Sequence, residues 1–226
     1  MKSAAGGSLA SIYPVLSSSG GDGRSVLAEV ERATAEKGRE AASLREETLI
    51  RLADRLMSCA SAMAIRFGLG GRLFTFGNGG SSTDALAVAQ LFVQPHSGRP
   101  LAACSLGAEA ALVTALANDV GFDAVFAGQL AALAEPTDIA LGLSTTGNSE
   151  NVLRGFEEAS RRGLLTIGFA GSDGGRMAEA DTIDHLFVVP SASVHRIQEA
   201  QTTLYNALWE LSQYALARQT RRDRVG

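Results

Sequence analysis

Hydrophobic positions divide the chain into a long helical segment followed by an alternating region. Between Ser25 and Gly68, apolar residues recur at steps of three and four, which predicts amphipathic helices, and Gly38 is a candidate break between two of them. After residue 70, short apolar runs alternate with helical stretches. Continuous apolar runs such as 186–189 are typical of strands that are buried on both faces. This alternation predicts an α/β fold with a parallel sheet covered by helices.

The predicted elements follow one another regularly through the alternating region. Strands are predicted at Arg72–Phe76, Leu101–Ser105, Asp138–Leu143, Leu164–Ala170 and His185–Val189. Helices are predicted at Ser82–Val93, Ala108–Asn118, Phe122–Ala134, Glu150–Arg162, Gly175–Ala180 and Val194–Arg218. The domain organisation predicted from this pattern is a flexible lead-in at 1–24, a single domain at 25–218 that includes the N-terminal helices, and a basic tail at 219–226.

Composition and charge exclude several function classes. A chain of 226 residues can form one well-buried domain, and its net charge of −4 comes without a basic stripe, so nucleic acid is not an expected partner. Neither a secretory signal nor an apolar run long enough to span a membrane is present, so no membrane partner is expected. The two cysteines, Cys59 and Cys104, lack the spacing of a metal site or a disulfide framework. These features predict a cytoplasmic protein.

Two loops rich in glycine and serine each lie between an apolar run and a helical stretch. The first is 76–82 and the second is 143–149. Glycine lets the backbone approach an anion closely, and a helix start offers unpaired N–H groups. Ordinary strand-to-helix turns also favour glycine, asparagine and serine. Because the same pattern occurs twice at strand ends that share one sheet edge, we favour a binding site for a phosphorylated small molecule.

Five short motifs occur in a characteristic order. They are Gly77–Ser81 with Asp84-Ala85, Ala117–Asp119, Ser144–Ser149, Asp173–Gly175 and Arg196–Glu199. Over roughly residues 45–215 the chain resembles the sugar isomerase (SIS) domain family, in particular the phosphoheptose isomerases. The resemblance implies a five-stranded parallel flavodoxin-like three-layer sandwich, here with an N-terminal helical arm. It also implies a homotetramer with active sites between subunits, and sedoheptulose 7-phosphate as the substrate. No cofactor is expected.

The resemblance also implies which residues would bind the ligand. Positions matching the phosphate-contacting residues are Ser81, Ser144, Thr146 and Ser149, with Thr146 standing where a serine is more usual. Positions matching the sugar-contacting residues are Asn78, Asp119 and Thr145, together with Gln198 from the last long helix.

The positions of the family's catalytic and zinc-binding residues are changed in this chain. The family carries a histidine and a glutamate one turn apart on the helix after the first loop, where this chain has Ala87 and Leu91. A second family histidine is replaced by Asn206, so only Gln198 remains of the four zinc ligands. One amide cannot hold zinc, and no metal is predicted. Aldose–ketose isomerisation needs a base and an acid, which Ala87 and Leu91 cannot supply.

Three functions remain open. The favoured one is a phosphosugar-binding protein that has lost the usual catalytic residues, with sedoheptulose 7-phosphate or a similar sugar phosphate as its ligand. The second is an active isomerase with a relocated base, for which His195 and Glu199 are the candidates, although a surface histidine and a structural ion pair are the preferred interpretations of these two residues. The third is an oligomeric adaptor with a protein partner. The family includes a non-catalytic relative that associates with the replication initiator and carries asparagine at the position of Asn206.

Overall fold

The computed structural model describes residues 23–222, and a single long helix opens it. Helix α1 spans Gly23–Gly68 without interruption, so the predicted break at Gly38 is wrong. One glycine in a helix interior costs only about 1 kcal/mol, which does not divide a helix whose neighbouring turns are well formed. Most of the predicted lead-in and the last four residues of the predicted tail lie outside the described residues.

The described part of the chain divides into two compact units, one that ends at Ala42 and one that begins at Ser43. In the first unit, the described part is the beginning of α1, where Val26, Leu27 and Val30 are exposed. The second unit contains the rest of α1, the sheet and all the remaining helices.

The sheet has five parallel strands, as predicted. They are β1 (Leu73–Gly77), β2 (Ala103–Ser105), β3 (Ile139–Ser144), β4 (Leu165–Gly171) and β5 (His185–Val189). Their order is β2-β1-β3-β4-β5, the flavodoxin-like arrangement. The strand order reverses between β1 and β3, and ligands of such sheets bind beyond the carboxyl ends of the strands at this point. Both glycine-rich loops begin there.

The predicted helices are also present. After α1 they are α2 (Gly80–Val93), α3 (Ala110–Asp119), α4 (Val125–Leu133), α5 (Glu150–Arg161), α6 (Gly175–Glu179) and α7 (Val194–Arg222). A 3-10 turn at Phe122–Ala124 precedes α4, and α7 continues beyond Arg218 into the predicted tail. Among residues 23–222, no helix is long and apolar enough to cross a membrane.

Two hydrophobic clusters cover the two faces of the sheet. Side chains of α1, α2 and α7, including Met63, Phe92 and Trp209, pack with one set of strand residues. Side chains of α4 and α5 pack with the alternate set, in which the Phe76 ring lies 5.3 Å from the ring of Phe156. Because successive strand residues point to opposite faces, these clusters form the two interfaces of a three-layer sandwich.

Candidate functional site

The first loop brings the start of α2 against the end of β3. A Cβ atom on Gly77 would lie 2.7 Å from the carbonyl oxygen of Ser81 and 2.9 Å from that of Leu143, so only glycine fits there. Gly79 takes a positive φ of 53°, which turns the chain into α2. The result is that Ser81 is 5% exposed in the first turn of α2, at the carboxyl edge of the sheet.

In the second loop, two serine hydroxyls lie together where α5 begins. The Oγ atoms of Ser144, at the end of β3, and Ser149, just before α5, are 3.0 Å apart. Ser149 occupies the residue before the helix, yet its hydroxyl pairs with Ser144 and makes no capping bond to the helix N–H groups. Those N–H groups and both hydroxyls therefore lie at one helix start, which suits an anion.

A third loop, Asp173–Gly175, supports the second loop from the end of β4. Gly147 has a φ of 67°, and a Cβ atom on it would lie 2.5 Å from the carbonyl carbon of Gly174. The Met177 N–H donates to the Gly147 carbonyl at 3.0 Å, and the Arg176 N–H donates to Asn148 Oδ1 at 3.0 Å. The sequence identified this loop only as a motif, whereas the structure places it in backbone contact with the second loop.

A reciprocal amide pair joins the first and second loops. Asn78 Nδ2 donates to Asn151 Oδ1 at 2.8 Å, and Asn151 Nδ2 donates back to Asn78 Oδ1 at 2.9 Å. Asn151 is 2% exposed and was missed by the sequence analysis, although an asparagine in the first turn of α5 was a visible signal. The amide of Asn78 is thus engaged with Asn151, and its predicted contact with a sugar stays a prediction.

Gln198 reaches the first loop from α7. Its Nε2 donates to Asp84 Oδ2 at 3.0 Å, and its amide lies over Gly80, with Oε1 at 3.0 Å from where a Cβ atom on Gly80 would be. Asp84 is half-buried one turn inside α2. Burial raises the pKa of Asp84 above its ordinary value, and the hydrogen bond from Gln198 opposes that rise.

The other predicted sugar-contacting and phosphate-contacting residues lie at element ends. Thr145 follows β3 directly and is partly buried, and the exposed Thr146 accepts a hydrogen bond through Oγ1 from the Asn148 N–H at 3.3 Å. Asp119 ends α3, is exposed, and accepts a hydrogen bond from the Asn118 amide at 3.1 Å. Their predicted contacts with a ligand stay predictions.

The two candidate replacement bases lie near the start of α7. His195 is exposed in the first turn. Glu199 forms an ion pair with Arg45 of α1, at 3.3 Å between Oε2 and the guanidinium. The Glu199 carboxylate is thus engaged by α1, which agrees with the structural interpretation preferred from the sequence.

The residues that the resemblance matches to the family's zinc ligands do not form a metal site. Ala87 and Leu91 offer only hydrocarbon, and Leu91 packs against the core cluster of α1, α2 and α7. Asn206 Nδ2 donates to the Thr202 carbonyl at 2.8 Å, and Gln198 is bound to Asp84. Within 23–222 there is also no group of three or more His, Cys, Asp or Glu residues suited to a metal ion. This donor set does not fit zinc.

Comparisons with known proteins identify the family. The SIS domain family matches residues 38–171. The phosphoheptose isomerase of Aquifex aeolicus is 39% identical over 175 residues, covering 76% of this chain and 91% of that protein. The chain belongs to the phosphoheptose isomerase family of SIS-domain proteins.

Solved structures of the family confirm the predicted fold. The phosphoheptose isomerase of Neisseria gonorrhoeae superposes with a TM-score of 0.74 at 32% identity, covering 80% of this chain and 97% of that one. The phosphoheptose isomerase of Francisella tularensis gives a TM-score of 0.76 at 27% identity, covering 82% and 98%. The coverage of these family members is nearly complete, so this chain retains the fold over almost their whole length.

Proposed function

We propose that this protein binds a sugar phosphate, sedoheptulose 7-phosphate or a similar compound, without the acid–base chemistry usual in its family. One observation carries the proposal: the two glycine-rich loops and the starts of α2 and α5 lie together where the strand order reverses between β1 and β3. These loops and helix starts contain Ser81, Ser144 and Ser149. The names of the related proteins support a phosphorylated sugar as the ligand class.

The electrostatics of the second loop favour an anion. The N-terminus of α5 carries the positive end of the helix dipole. Glu150 in its first turn would oppose a phosphate, but it pairs with Arg176 at 2.6 Å and with Arg154 at 3.5 Å. The hydrogen bond and charge of Arg176 lower the pKa of Glu150, so its carboxylate stays ionised and its charge is balanced. The loop can therefore offer hydroxyls and N–H groups to a phosphate with little net repulsion.

The absence of usable proton-transfer groups at the family positions supports binding in preference to isomerisation. Moving a proton between adjacent carbons needs a base at one carbon and an acid near the carbonyl oxygen. Ala87 and Leu91 have no titratable group, and the Asn206 amide donates to the backbone of its own helix. Among the alternatives, Glu199 is engaged by Arg45.

Substituting the serines of the two glycine-rich loops is expected to weaken phosphate binding. A hydrogen bond to a charged group contributes about 1.5–3 kcal/mol, so Ser149→Ala and Ser81→Ala should each raise the Kd about tenfold or more. Calorimetric titration with inorganic phosphate and with sedoheptulose 7-phosphate measures this. Ser160→Ala is the matched control, because Ser160 is exposed at the far end of α5. Unchanged affinity for phosphate in both Ser149→Ala and Ser81→Ala would contradict the proposed site.

We also propose that the protein assembles into a homo-oligomer, a tetramer by resemblance to its family. A groove between α1 and α7 has exposed apolar side chains, including Met57 (59% exposed), Ile65 (54%) and Tyr214 (62%). Covering such a stripe by another subunit is the usual way to remove it from water. Light scattering is expected to give the mass of a tetramer, or at least of a dimer. Ile65→Asp should lower the measured mass to that of a smaller oligomer or a monomer. A wild-type monomer at micromolar concentration would overturn this proposal.

A further inference from the structure

We infer that Asp84 is a positioning residue that holds the Gln198 amide over Gly80, so that Gln198 Oε1 accepts a hydrogen bond from a hydroxyl of the bound sugar. The inference rests on the proposed function for its ligand, and on the geometry of Asp84, Gly80 and Gln198 for its mechanism.

The hydrogen bond fixes which way the amide faces. An ionised carboxylate only accepts, so the group that faces Asp84 must be the Nε2 of Gln198, at 3.0 Å from Oδ2. The carbonyl oxygen Oε1 is then left to accept from a ligand. Without Asp84, this long side chain would sample several rotamers and turn its amide either way, and ordering it would reduce the affinity for ligand.

Gly80 supplies the room in which the amide lies. A Cβ atom on Gly80 would clash with Nε2 of Gln198, and would lie 3.0 Å from its Oε1 and 3.1 Å from its Cδ. Gly80 does not have a positive φ, so the backbone there accepts alanine. The new Cβ atom would meet only the end of the flexible Gln198 side chain. Gly80→Ala therefore displaces Gln198 without straining the loop.

Capping of α2 does not account for Asp84. The free N–H groups of a helix are those of its first turn, whereas α2 begins at Gly80 and Asp84 lies beyond that turn. Its carboxylate is directed to α7, where the nearby Tyr205 hydroxyl donates to Thr202 Oγ1 at 3.3 Å. Burial raises the pKa of Tyr205, and the charge of Asp84 raises it further. Of these α7 side chains, Gln198 is the one bonded to Asp84.

The first test observes Gln198 in the free protein. The side-chain amide signals of Gln198, assigned by their loss in Gln198→Leu, are recorded by NMR in each variant. Asp84→Ala is expected to shift these signals, because the hydrogen bond is lost. Asp84→Asn should leave them nearer to their wild-type positions, because its amide oxygen still accepts a hydrogen bond. Gly80→Ala should shift them, because the new Cβ atom displaces the Gln198 side chain. Gly128→Ala is the matched control, since a Cβ atom there meets only Leu116 at 3.9 Å. Unmoved signals in Asp84→Ala would overturn the positioning role.

The second test separates sugar from phosphate by calorimetry. Asp84→Ala is expected to weaken sedoheptulose 7-phosphate about five- to tenfold, as Gln198→Ala does, while the affinity for inorganic phosphate is unchanged. Because Asp84 acts through Gln198, the double variant Asp84→Ala/Gln198→Ala should be no weaker than Gln198→Ala. Additive losses, or an equal loss for inorganic phosphate, would overturn the inference. Wild-type protein that binds neither compound would refute the proposed function, and the NMR test would still decide whether Asp84 holds Gln198.

Discussion

Wild-type protein is expected to isomerise sedoheptulose 7-phosphate at least about 10⁴-fold more slowly than the Aquifex aeolicus phosphoheptose isomerase assayed beside it. A general acid and a general base each contribute ~10²–10⁴-fold, and on the proposed function the positions of these groups carry Ala87, Leu91 and Asn206. The comparison is of kcat in a coupled assay, after calorimetry has shown that the sugar phosphate binds. A wild-type kcat on the order of 1 s⁻¹ or faster would show that other residues carry the chemistry.

Introducing the groups that the family carries tests the same expectation in the opposite direction. Ala87→His, Leu91→Glu and Asn206→His together should raise the rate at least about tenfold, with and without added zinc compared. Leu91 is only partly buried against the core, so the variant should lose less than the about 1.5–3 kcal/mol that full burial of a leucine contributes, and it must be shown to be folded. Ala87→His alone is the control and should remain inactive. If wild-type protein is active, His195→Ala and Glu199→Gln are the variants that would locate the base.

The order of elements could be predicted from the sequence because it depends on local patterns. Apolar runs at β1, β3 and β4 are buried on both faces, and such runs are visible without knowing their partners. The apolar run at β5 was predicted to be buried in the same way, but only Phe187 and Val189 are fully buried, because β5 is an edge strand. The edge strand β2 was less well bounded. It begins at Ala103, two residues later than predicted, because pairing with β1 alone sets its length and an apolar run does not reveal where pairing begins.

The contacts that build the site could be predicted only in part. Ser144 and Ser149 share one loop, so their proximity follows from a short segment. The Asn78–Asn151 pair joins residues 73 positions apart, and the Asp84–Gln198 bond joins residues 114 positions apart. Such pairs depend on how the loops and helices pack where the strand order reverses between β1 and β3, and no local pattern specifies that packing.

Gly147→Ala is expected to destabilise the protein and to weaken phosphate binding more than tenfold. The φ of 67° at Gly147 costs an alanine about 1–3 kcal/mol in strain. In addition, the new Cβ atom would lie 2.5 Å from the carbonyl carbon of Gly174, so the second and third loops must separate. Separation would break the Met177 N–H bond to Gly147 and shift the Ser144–Ser149 hydroxyl pair relative to the start of α5.

Gly70→Ala isolates the strain from the contact between loops. Gly70 has a φ of 85° with nothing within 4 Å of a Cβ position, so its alanine variant pays for the backbone conformation alone. Urea unfolding should show a loss of stability in both variants and a larger one in Gly147→Ala, whereas calorimetry with inorganic phosphate should show weaker binding in Gly147→Ala only. Normal phosphate affinity in a folded Gly147→Ala protein would mean that the second loop holds its ligand groups without the third. The close approach of Gly147 to Gly174 would then contribute to the fold and not to the site.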